Sequence, residues 1–137
     1  MGQKVTVKTL PKLLVVEDDF ENQKLLKMLL RQSFCLDFCD SAESFYKKIR
    51  TTHYDIILMD ISLIGSKDGL MLTKELKADE KFKNIPVVAL SAHAYQKDKI
   101  NAYNSGVDLF LTKPIQGNHL LESLMKIMEQ TTKTVLK

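Results

Sequence analysis

Five short apolar runs, at residues 13–16, 35–39, 55–59, 87–90 and 108–111, punctuate the chain. Each is four or five residues long, and most lack the polar alternation of a half-exposed strand. They predict strands covered on both faces. Between them the apolar residues fall at helical spacing. From Asn22 to Leu30, the side chains Leu25, Leu26, Met28, Leu29 and Leu30 crowd one side, with Lys24, Lys27 and Arg31 opposite. That pattern predicts an amphipathic helix. A second helix begins at Ser41-Ala42-Glu43-Ser44 and runs to about Arg50; Ser44 stands where a capping box has Glu, so half the motif is expected. Further helices are predicted from Gly69 to about Ala78, over 96–105 with a glycine stop at Ser105-Gly106, and from His119 to about Glu129. Strands alternating with helices across short loops predict a doubly wound α/β fold, with a five-stranded parallel sheet, right-handed crossovers and helices on both faces. Residues 1–11 read as a loose lead-in, 12–130 as one domain and 131–137 as a tail with little to bury.

Composition changes this picture little. With 137 residues, 45% apolar and 27% charged, the chain suits one ordinary globular domain. A net charge of +3 from scattered lysines argues against a nucleic-acid surface. No apolar run reaches the ~20 residues of a membrane span, and no signal-peptide core follows Met1, so a cytoplasmic protein is expected. The start Met1-Gly2-Gln3-Lys4-Val5-Thr6 fits a loose myristoylation pattern that is short enough to arise by chance. Cys35 and Cys39 would lie on one face of a strand about 13 Å apart, too far for a disulfide. Both are expected to be buried thiols.

The chemistry collects at strand ends. In open α/β sheets, ligands bind at the carboxyl edge. Here the strand tips carry Glu17-Asp18, Asp60, Ser91 and Lys113. Three clustered carboxylates repel one another, and a divalent cation together with Lys113 would balance them. All-oxygen ligands at a partly open site suit Mg²⁺. Glu17 and Asp18 would hold the metal with Asp60, and the Ser62 backbone carbonyl would add a ligand. Asp60 would attack a phosphoryl group, with Ser91 and Lys113 hydrogen-bonding its oxygens. A strand-end Asp is usually a turn residue or cap, and a Lys before Pro usually a solvated turn. It is their joint placement at four strand tips that favours chemistry.

The segments Leu14-Val-Val-Glu-Asp-Asp, Asp55-Ile-Ile-Leu-Met-Asp-Ile, Pro86-Val-Val-Ala-Leu-Ser-Ala and Phe110-Leu-Thr-Lys-Pro resemble those of receiver domains of two-component response regulators. The resemblance spans residues 13–129. It implies the flavodoxin-like strand order 2-1-3-4-5, for which a receiver is itself a standard example. It also implies phosphoryl transfer to Asp60 from a sensor histidine kinase or histidine phosphotransfer protein, dependent on Mg²⁺, and later hydrolysis. Receivers switch through the hydroxyl at Ser91 and an aromatic at Phe110, and their Lys-Pro bond, here Lys113-Pro114, is typically cis. Two features depart from the common pattern: Ile64 replaces a frequent proline, and the loop containing Gly65 is one residue longer. His93 lies where the family tunes phosphate lifetime, although a solvated loop histidine is the ordinary reading.

These features together predict a monomeric single-domain receiver, a signalling domain rather than an enzyme. It would pass its phosphate on or bind a protein partner through the 96–105 and 119–129 helices, with the first helix docking the phosphodonor. Two alternatives are a small aspartyl-phosphate phosphatase and an inactive receiver used only for protein contacts. The phosphatase is disfavoured because Ser62 replaces the second Asp of that class. A flavodoxin-like nucleotide binder would need a Gly-rich loop after the first strand, and none is present.

Overall fold

The computed structural model describes residues 9–61, 68–93 and 95–136, with side chains to 131. In chain order the elements are β1 (Lys12–Val16), α1 (Phe20–Leu30), β2 (Cys35–Cys39), α2 (Ala42–Thr51), β3 (Ile56–Asp60), α3 (Gly69–Ala78), β4 (Val87–Ser91), α4 (Gln96–Asn104), β5 (Leu109–Thr112) and α5 (Gly117–Leu136). All strand pairs are parallel and the sheet order is β2-β1-β3-β4-β5, as the sequence pattern and the resemblance imply.

Strand pleating divides the core in two. Leu14, Val16, Ile57, Met59, Val87, Ala89 and Phe110 face one way and pack on Phe45 and Ile49 of α2, Leu72 and Leu76 of α3, and Ala102 of α4. Leu13, Val15, Ile56, Leu58, Val88, Leu90 and Leu111 face the other way, against Leu26 and Leu30 of α1 and Leu120, Leu124 and Ile127 of α5. Because successive strand residues alternate faces, every apolar residue of a central strand is covered by one helical layer or the other. Each such Leu or Ile contributes about 1.5–3 kcal/mol by leaving water.

Several details differ from the sequence pattern. α1 begins two residues early, at Phe20, because Asp19 caps it by accepting from the Asn22 N–H at 3.2 Å. Of the five apolar residues on that side only Leu26 and Leu30 are buried; Leu25 is 50% and Met28 64% exposed. A helix laid on a sheet buries a stripe narrower than that apolar crowd. The α2 capping box is complete, since the Ser44 hydroxyl accepts from the Ser41 N–H at 3.2 Å as a Glu would. Cys39 is buried, but Cys35 is exposed, because it opens the edge strand β2. α5 continues to Leu136 rather than ending near Glu129, and no Gly or Pro follows Gly117 to stop it. Among the described residues no helix is long and apolar enough to cross a membrane.

Candidate functional site

Parallel pairing brings the strand tips into line. Val16 pairs with Met59, Asp60 with Leu90 and Ser91 with Thr112, so the tips of β1 and β4 flank the end of β3, with the tip of β5 one strand beyond. The ladder extends one step past the strands: the Ile61 N–H donates to the Leu90 carbonyl at 3.1 Å and the Lys113 N–H to that of Ser91 at 2.8 Å.

One carboxylate oxygen from each of Glu17, Asp18 and Asp60 lies within 4.8 Å of the others. Glu17 and Asp60 are 1% and 4% exposed, and Asp18 is half-buried. The Lys113 ammonium bridges the two buried acids, donating to Asp60 Oδ2 at 3.1 Å and Glu17 Oε1 at 3.3 Å. The other Glu17 oxygen accepts from the Asp19 N–H at 3.2 Å. Burial pushes the Glu17 carboxyl up to about 7, and the neighbouring Asp60 adds to this by hydrogen bonding and repulsion; the Asp19 amide and Lys113 only partly oppose it. For Lys113, burial works to lower the pKa, but hydrogen bonds and attraction from Asp60 and Glu17 outweigh it and leave the ammonium above its usual 10.5. The cluster therefore holds more negative charge than its lysine can balance. Its all-oxygen donors and its raised Glu17 fit a hard divalent cation that would displace the proton.

Ser91 ends β4 and is buried, and its hydroxyl oxygen accepts from the His93 N–H at 3.1 Å. That bond leaves the O–H able to donate toward the cleft. His93 is exposed and stacks on Tyr95, ring centroids 5.7 Å apart. Phe110 is 7% exposed, within the core beside Ala102, and its N–H donates to the Tyr103 hydroxyl at 3.2 Å. The Lys113–Pro114 peptide bond is cis. Ser62, Ile64 and Gly65 lie outside the described residues.

Sequence reasoning passed over two residues of the site. A Cβ on Gly69, the first residue of α3, would stand 2.7 Å from the Asp60 carbonyl oxygen, 2.8 Å from Ile61 Cα and 2.9 Å from Met59 Cγ. Glycine alone lets α3 start against the backbone that carries Asp60; its position just after the N-cap Asp68 was the available signal. The second is Gln23, whose side-chain amide donates to the Glu17 carbonyl at 2.6 Å. Nothing in its spacing set it apart from a solvated helix residue.

The family model described as response regulator receiver domain matches residues 13–125. The polar-differentiation response regulator DivK of Brucella ovis is 34% identical over 112 residues, covering 81% of this chain and 90% of DivK. Hybrid signal transduction histidine kinase I of Dictyostelium discoideum is 37% identical over 119 residues, 81% of this chain, which spans only 7% of that kinase. The receiver domain of sensor histidine kinase PA1611 from Pseudomonas aeruginosa superposes with a TM-score of 0.80 at 29% identity, over 88% of this chain and 99% of that one. That structure has a magnesium ion coordinated in its active site cleft.

Proposed function

The chain belongs to the response regulator receiver domain family of two-component and phosphorelay systems, and on that footing we propose that Asp60 accepts a phosphoryl group from a phosphohistidine. The observation that carries this reading is the Lys113 ammonium spanning Asp60 and Glu17 within a trio of acids. Glu17, Asp18 and Asp60 would hold Mg²⁺, with the Ser62 carbonyl as a further ligand. The bound ion would draw charge from the phosphoryl oxygens as the acyl phosphate forms. An Asp60 oxygen attacks phosphorus in line, the phosphorus–nitrogen bond breaks, and the imidazole leaves with the electron pair. Lys113 stays on the cleft side and takes up the phosphoryl charge. The Ser91 O–H turns to a phosphoryl oxygen, and Phe110 carries that change to the neighbouring α4, β5 and α5.

The receiver is a signalling domain, not a classical enzyme, and the unit proposed for this role comprises residues 12–130. Two surfaces suit its partners. Beside Glu17 and Lys113 opens a cavity of about 350 Å³ lined by Leu25, Leu26, Leu29, Pro114 and Ile115. It opens along α1, which also leaves Phe20 and Met28 exposed, and would seat an apolar helical face that presents a phosphohistidine. Exposed Tyr95, Ile100 and Tyr103 form the proposed output face on and beside α4. Two cysteines without a disulfide accord with action in the reducing cytoplasm. The test is incubation with a small acyl-phosphate donor and Mg²⁺. One phosphoryl group per chain is expected, absent in Asp60→Asn and in EDTA. Labelling that survives Asp60→Asn would overturn the proposal.

A further inference from the structure

Asp18 is the least enclosed of the three acids, and the backbone that carries it sets where its side chain starts. The last rung of the β1–β2 ladder is the Glu17 N–H on the Cys39 carbonyl, at 2.9 Å. Beyond that rung the Glu17 carbonyl has left the sheet, and the Gln23 side chain takes it up at 2.6 Å. Only the amide nitrogen of Gln23 can face a carbonyl oxygen, which settles the orientation of the side chain. On the other side of Asp18, the Asp19 N–H donates to Glu17 Oε2 at 3.2 Å. Both peptides flanking Asp18 are thus tied.

The anchor is itself firm. The Gln23 N–H donates to the Asp19 carbonyl at 3.0 Å in the first turn of α1, a turn capped by Asp19 through the Asn22 N–H. Three residues on, Leu26 fixes the helix in the core. Residues 17–23 therefore close a ring of hydrogen bonds that starts and ends at the metal-binding turn. Without the Gln23 bond, the peptides flanking Asp18 would lose one of their two ties, and Asp18 its fixed approach to Glu17 and Asp60.

We infer that Gln23 is a positioning residue for the divalent cation, holding the Glu17–Asp18 peptide so that Asp18 faces Glu17 and Asp60. The inference rests on the metal-binding reading above and is separable from it. Gln23→Met keeps length and helix propensity while removing the donor, and Gln23→Ala removes it by truncation. Mg²⁺ affinity of the full chain is measured by calorimetric titration, beside the rate of labelling by a small acyl-phosphate donor at increasing Mg²⁺. Both variants are expected to bind Mg²⁺ about tenfold more weakly, as when other residues that orient metal ligands are removed. Saturating Mg²⁺ should return the labelling rate to within about twofold of the unaltered protein, since the defect lies in binding. A merely structural role would lower thermal stability in EDTA and leave the half-saturating Mg²⁺ unmoved. If the Gln23 variants bind Mg²⁺ normally while Asp18→Asn does not, the inference falls and the site stands. If the unaltered chain binds no Mg²⁺, or Asp18→Asn binds as well as it does, the metal reading fails and takes the inference with it.

Discussion

Glu17 and Asp60 are nearly as buried as the leucines beneath them, an arrangement that would be costly without Lys113 and a second cation. The backbone behind Asp60 is equally constrained, because α3 starts at van der Waals distance from it. Gly69→Ala would drive a methyl group into the Asp60 carbonyl and the Ile61 Cα, atoms that cannot swing away as a flexible side chain can. The expected result is a loss of about 1–3 kcal/mol in a denaturant titration. Labelling at Asp60 should fall as well, because the same displacement moves the carboxylate; unchanged stability and labelling would show that α3 can retreat. That Glu17, Asp18, Asp60 and Lys113 would meet at one sheet edge could be read from the sequence, because each stands at or just past the end of a short apolar run. Gly69 and Gln23 could not. Their importance lies in a close approach and a single hydrogen bond, which leave no periodic trace.

At the scale of elements, the apolar side of α1 is part buried and part exposed. Leu26 packs under the sheet, and Leu26→Ala should cost about 2–5 kcal/mol. Leu25 is half-exposed and Met28 more so, and Leu25→Ser and Met28→Ser should each cost about 1 kcal/mol or less. The same pair should slow phosphoryl transfer from a protein phosphodonor while leaving labelling by a small donor intact. Equal rates from the protein donor would remove α1 from the docking surface. The helix itself was plain in the sequence, but which of its five apolar residues face water was not, since helical periodicity marks a side and not its width. The exposure of Cys35 was within reach of the strand order 2-1-3-4-5 that the resemblance implies, which puts β2 at the edge, but not of the local apolar pattern. The length of α5 was missed because the sequence contains no stop signal, and a tail with little to bury can still be helical.

For the molecule as a whole, the acidic cleft links metal, proton and stability. Glu17 has a folded pKa of about 7, above its ordinary 4.5, so without metal the native state holds a proton that the unfolded chain has released. The metal-free protein should therefore lose stability as pH rises from about 4.5 toward 7. Mg²⁺ binds the deprotonated cluster, so the stabilisation it confers should grow from about pH 5 to about pH 8. At a hundredfold excess over Kd it should reach about 2.7 kcal/mol, read as a thermal or denaturant shift against EDTA. A Mg²⁺ effect independent of pH would contradict this linkage. The same cleft is where the phosphoryl group is proposed to reside, and its position can be read chemically. Borohydride reduces an aspartyl phosphate to homoserine with loss of phosphate. After treatment of the full chain with a small acyl-phosphate donor and Mg²⁺, peptide sequencing should find homoserine at position 60; a reduced residue at 17 or 18, or no reduced residue in a chain shown to carry phosphate, would contradict the assignment.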